Sequence, residues 1–301
     1  MNEDIEESWV ELRRFSSQNE AQQHALVLVA AGINCQISKI GDSVGLRVAA
    51  QDRVYAQSEL IAYTRDNRPS SLPTLPQRPA REAIAGTLFY CCVLLLVHGA
   101  ASRQMFSLDW ILAGKAAAGL IVEGEWWRTV TALTLHGDYG HLFSNLVAGA
   151  FLGFVLSQIL GGGLAWLLIL LSGALGNSLN AVIQPAAHTS IGASTAVFGA
   201  LGILAVIMSR YRATHWKAGL RRWAPLGAGI MLLAFLGIQG ERIDVLGHIA
   251  GFVAGCLLGA GTVAFGTVAM KQPRKTQFIF AAAALALLIG TWMIALDSGS
   301  S

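Results

Sequence analysis

Residues 244–261 read DVLGHIAGFVAGCLLGAG, an uncharged run after Asp244 that carries one histidine, His248, and glycines at 247, 251, 255 and 259. Four-residue spacing puts those glycines on one helix face, where the missing side chains let a second backbone come close. An imidazole at membrane depth is costly unless it faces a polar cavity or a partner, which makes His248 a functional candidate; the plain alternative is a histidine hydrogen-bonded in a helix interface. The stretch that could receive it is SIGASTAVFGALG, residues 190–202, with Ser194 in the first turn of an apolar helix and Gly192, Ala196, Gly199 and Ala200 close by.

A serine at a helix N-terminus lies beside unpaired backbone N–H groups and the positive end of the helix dipole, both suited to an oxyanion. Small residues in a membrane helix more often pack than catalyse, so Ser194 needs a base whose nitrogen comes within about 3 Å of its oxygen. Close approach of the two glycine-rich helices would bring His248 there. A further polar group stands in HGDYGHLFSNLVAGA, residues 136–150: His141 and Asn145 are four apart and share a helix face, and His136 lies just before them. Their donors could complete an oxyanion site with the Ser194 N–H; an interhelical hydrogen-bonded pair fits the spacing equally well.

Composition sets the medium. With 54% hydrophobic and 13% charged residues and 33 glycines among 301 positions, the chain is expected to be an all-α polytopic membrane protein with a small soluble α/β domain. The net charge of +3 is small and sorts by loop, which disfavours a nucleic-acid partner. The N-terminus MNEDIEESWVELRRF has no basic region leading into an apolar one, so no cleaved signal peptide is expected. Cys35, the Cys91–Cys92 pair and Cys256 read as neither a disulfide framework nor a zinc site, and no metal or cofactor is expected.

Residues 1–64 alternate short strand-like and helix-like runs in the order βαββα. Ser16 or Ser17 would cap the first helix, Gly32 would stop it, and Gly41-Asp42 would turn a hairpin. This stretch is similar to ferredoxin-like signalling domains of the GlnB type. Residues 65–82 hold four prolines and four arginines and read as a linker. Spans are predicted at about 83–101, 141–160, 164–182, 192–209, 223–239, 244–266 and 277–296, seven in all, the first six forming a core over 83–270 and the last an addition over 271–301. Arg65, Arg68, Arg78 and Arg81 precede the first span, Arg210 to Arg222 follow the fourth, and Lys271 to Lys275 follow the sixth. Those loops should be cytoplasmic, leaving the N-terminus inside and the C-terminus outside, in the inner membrane if the source is bacterial.

Taken together, H-x4-H-x3-N at His136, His141 and Asn145, G-x-S at Gly192 to Ser194 and G-H-x-A-G at Gly247 to Gly251 resemble the rhomboid intramembrane proteases. Trp127-Arg128 in the long loop before the second span resembles the Trp-Arg motif of that family, and the extra span its six-plus-one subgroup. The resemblance implies that Ser194 is the nucleophile and His248 the general base, with no third carboxylate. It also implies an oxyanion hole from His141, Asn145 and the Ser194 N–H, and Phe198 packed on the catalytic histidine. Thr195 departs from the pattern, since many members carry glycine after the serine. The implied substrates are membrane proteins with a single span, cut near small residues where the helix unwinds readily. The zinc and aspartyl designs of intramembrane proteolysis fail, because the chain has neither H-E-x-x-H nor a pair of intraspan aspartates. A transporter, and a silent relative of the proteases that binds membrane proteins, remain as alternatives. His24, His98, His188 and His215 are given no role, and the partner of the N-terminal domain is unknown.

Overall fold

The computed structural model describes residues 8–41, 43–66, 78–215, 224, 227–228, 244–265 and 272–298. The chain divides into two compact units, Met1–Pro73 and Thr74–Ser301.

The first unit runs β1 (Trp9–Phe15), α1 (Gln18–Ala30), β2 (Cys35–Ile40), β3 (Ser43–Ala49) and α2 (Arg53–Asp66). The Ser17 hydroxyl accepts from the Glu20 N–H at 3.2 Å and starts α1, while Gly32 at φ +77° ends it. Ile40 pairs with Ser43, so the connection is the predicted two-residue turn, with Gly41 at φ +61°. The sheet is antiparallel in the order β1-β3-β2. Phe15, Leu28, Leu46, Val48 and Leu60 make its core, and His24 packs there between the rings of Phe15 and Tyr63.

The second unit is a helical membrane bundle. Its long helices are α3 (Ala80–Ser102), α4 (Tyr139–Leu160), α5 (Gly162–Ile183), α6 (Ser194–His215), α7 (Val245–Ala264) and α8 (Arg274–Ser298). All six have the length and apolar composition to cross a membrane; the span predicted at 223–239 lies outside the described residues. Helices α3 and α8 begin about a turn earlier than their uncharged runs, each just after a proline, because their charged first turns reach the polar edge of the bilayer. Leu96, Phe151 and Leu257 are exposed on its outside, a surface suited to lipid rather than water.

Two features of the bundle position the site. Along the α6–α7 contact, a Cβ on Gly251 would collide with the Thr195 carbonyl and one on Gly255 with that of Gly199, so the backbones touch where the glycine stripe predicts. Helix α8 is fastened at both ends. The Gln277 amide donates to Leu160 O at 2.9 Å and accepts from the Leu164 N–H at 3.0 Å, spanning the α4–α5 junction. Toward the other end the Trp292 indole donates to the Thr134 hydroxyl at 3.1 Å and packs on Leu135.

Candidate active site

The segment ahead of α6 is held from three directions. The Gly192 N–H donates to Ala132 O at 2.9 Å, the Ala193 N–H to His136 Nε2 at 3.4 Å, and Thr189–Ser190 pair with Ala116–Ala117. Gly192 itself sits at φ +132°, and a methyl group there would lie 2.6 Å from the His141 ring; glycine is required for both reasons. The first two N–H groups of the turn are thus occupied, whereas that of Ser194 has no partner among the described residues.

Ser194 Oγ lies 2.9 Å from His248 Nε2, across the α6–α7 contact. The Phe198 ring, one turn along α6, packs against the imidazole with centroids 4.5 Å apart and confines it. Residue 195 meets no obstacle: the Thr195 methyl rests where Gly176 of α5 and Gly251 of α7 lack side chains. The branched residue is accommodated by glycines on both neighbouring helices.

Asp138 caps α4 by accepting from the His141 N–H at 2.8 Å, which directs the His141 ring against Gly192. Asn145, buried one turn further on, donates to His141 O at 3.0 Å, and its own carbonyl accepts from Tyr90 of α3 at 2.7 Å. Burial first, and the neighbouring His141 next, push the His136 imidazole down to about 4. It is therefore neutral near pH 7, as its acceptor role toward Ala193 requires.

Arg128 is a buried structural clamp. It pairs with Glu125 and donates to the carbonyls of Leu112, Ala113 and Lys115, the open end of a short helix in the long loop. Trp127 packs with Trp110, Leu135 and Trp292 beside it. Among the described residues neither side chain hydrogen-bonds to the serine turn, and Trp127 shares its apolar cluster with Ile191.

One cluster escaped sequence reasoning. Asp244 caps α7 through the Gly247 N–H at 2.9 Å and also meets Asn180 Nδ2 at 2.6 Å and His188 Nε2 at 3.0 Å. It ties the end of α5 and the loop before Ser194 to the start of the helix that bears His248. Burial would raise this carboxyl, but its hydrogen bonds to Gly247, His188 and Asn180 outweigh burial and hold it below the ordinary range. The sequence shows Asp244 only as the last charge before the uncharged run of α7, and nothing in it links that residue to positions 180 and 188.

A serine hydroxyl against an imidazole, beneath an unoccupied backbone N–H, inside a membrane bundle, defines a candidate intramembrane nucleophile. Comparison with known proteins agrees with that class: residues 123–265 match the family model of the rhomboid domain. The chain is 30% identical over 195 residues to Rhomboid protease GluP of Bacillus subtilis, which covers 62% of this chain and 35% of that one. RHOMBOID-like protein 5 of Arabidopsis thaliana is 30% identical over 181 residues, 56% of this chain and 57% of the plant protein. Rhomboid-like protease 3 of Toxoplasma gondii is 35% identical over 153 residues, 49% of this chain and 56% of the parasite protein. Residues 123–265 of the chain thus form a rhomboid domain. The matched stretch spans between about a third and just over half of the length of these relatives.

Proposed function

We propose that the protein is an intramembrane serine endopeptidase that cleaves membrane-protein substrates with a Ser194–His248 dyad. The carrying observation is the 2.9 Å approach of His248 Nε2 to Ser194 Oγ between two glycine-packed helices. His248 takes the hydroxyl proton as Ser194 Oγ attacks the peptide carbonyl. The carbonyl oxygen becomes an oxyanion received by the Ser194 N–H, with His141 and Asn145 as side-chain donors. Collapse expels the amine, protonated by His248, and leaves an acyl-serine; a water deprotonated by the same imidazole then releases the acid. For Asn145 to take part, its amide must turn from the His141 carbonyl or use its second N–H.

The scissile carbonyl must leave its helical hydrogen bond before it can be attacked. That favours single-span substrates whose helix unwinds readily near small residues. The basic residues at 78–81 and 271–275 support a cytoplasmic placement of those ends, with the site toward the outer face. The small N-terminal unit is read as a regulator of activity or stability from the cytoplasmic side.

The test is labelling of the detergent-solubilised protein with a fluorophosphonate, which reports an activated serine. Wild-type labelling is expected, with none for Ser194→Ala and a rate lower by about 10²-fold or more for His248→Ala. Folded wild-type protein that takes no label would point instead to a binding relative without protease activity.

A further inference from the structure

A groove of about 730 Å³ runs along the membrane unit between α3, α5 and α8, and Ala193 and Ala196, on either side of Ser194, also line it. Phe89 and Val93 of α3, Trp166 and Ile169 of α5, and Ala282 and Leu285 of α8 represent its walls. The small side chains of α8 leave the room, and the Trp166 ring, stacked on Tyr90 at 4.9 Å, stiffens the opposite side.

One end of this groove is different. Arg81, Glu82 and Arg274 line it there, and the Arg78 guanidinium donates to Gln272 O at 2.8 Å, so the starts of α3 and α8 lie side by side. Neither Arg81 nor Arg274 has an ion pair among the described residues, although both are exposed beside an apolar trough. Arg274 is turned over the Phe278 ring, 5.7 Å from its centroid, which keeps its charge at the groove's rim.

Dimensions select the occupant. Arg81 to Leu94 and Arg274 to Leu288 each cover about 20 Å of helix rise, more than the roughly 15 Å of one hydrocarbon leaflet. That length and the apolar walls suit the hydrocarbon chain of a lipid.

We infer that the groove is a binding site for an anionic phospholipid, its acyl chain between α3, α5 and α8 and its phosphate on Arg81 and Arg274. Guanidinium groups suit phosphate because of their planar donor geometry, and the trough replaces one apolar medium with another, so head-group charge sets the preference.

The experiment is native mass spectrometry of the full-length protein in detergent, offered phosphatidylglycerol and phosphatidylcholine with identical chains. Wild type is expected to retain the anionic lipid at least five-fold over the zwitterionic one. Arg81→Gln with Arg274→Gln should bring that ratio near one, and Ala282→Trp should reduce retention of both lipids. Inorganic phosphate in excess should leave phosphatidylglycerol bound. Equal retention of the two lipids by wild type would overturn the site whether or not any variant folds. So would an unchanged ratio in the folded double variant, or displacement by inorganic phosphate.

Discussion

At the scale of single residues, His136 shows how a side chain outside the proposed reaction can matter to it. Its Nε2 receives the Ala193 N–H, one residue before the serine, and only a neutral ring can do so. Folded, the ring binds its proton more weakly than in the unfolded chain, being held near 4 rather than 6.5. Stability is therefore full above about pH 6.5, falls as the pH drops through that range and levels off near 4, for a loss of at most about 3 kcal/mol. Melting curves of the solubilised protein between pH 7 and 4 should show this slope, and His136→Gln, which can still accept the N–H, should flatten it. The spacing of His136, His141 and Asn145 was legible in the sequence through the family pattern. The bond to Ala193 was not, because no local rule relates groups separated by several elements.

Among the helices, the α6–α7 contact is the feature best read in advance. Glycines four residues apart on α7 and small residues on α6 announce close approach, and Gly251 and Gly255 meet the carbonyls of Thr195 and Gly199 as that pattern requires. What the pattern leaves open is the third partner, Gly176 of α5, which makes room for Thr195. Gly255→Ala would wedge the helices apart two turns beyond His248. The cost expected is about 1–3 kcal/mol, with fluorophosphonate labelling reduced more than the melting temperature alone would imply, because the Nε2–Oγ distance opens first. Labelling that simply tracks the folded fraction would show that the contact is structural only. Span limits were legible to within a few residues from the uncharged runs, and the early starts of α3 and α8 reflect charged turns that a hydropathy reading discards.

For the molecule as a whole, the division at residue 73 separates two kinds of core. The N-terminal unit closes its own, around Leu28, Leu46 and Val48, in an αβ layer that needs no lipid. Expressed as residues 1–73 it should be soluble and melt cooperatively by circular dichroism; a non-cooperative profile would mean that it depends on the rest of the chain. Its βαββα order was legible because capping, turn and alternation signals agree there. The docking of the final helix was not: Gln277 and Trp292 look like ordinary interfacial residues until their partners at 160, 164 and 134 are known.

That final helix bears on the chemistry by a short route. Trp292 holds the Thr134 hydroxyl, and two residues earlier in the same turn the Ala132 carbonyl receives the Gly192 N–H. The segment that presents the serine is thus guyed to a helix the reaction never touches, and a truncation at the C-terminus would masquerade as an active-site lesion.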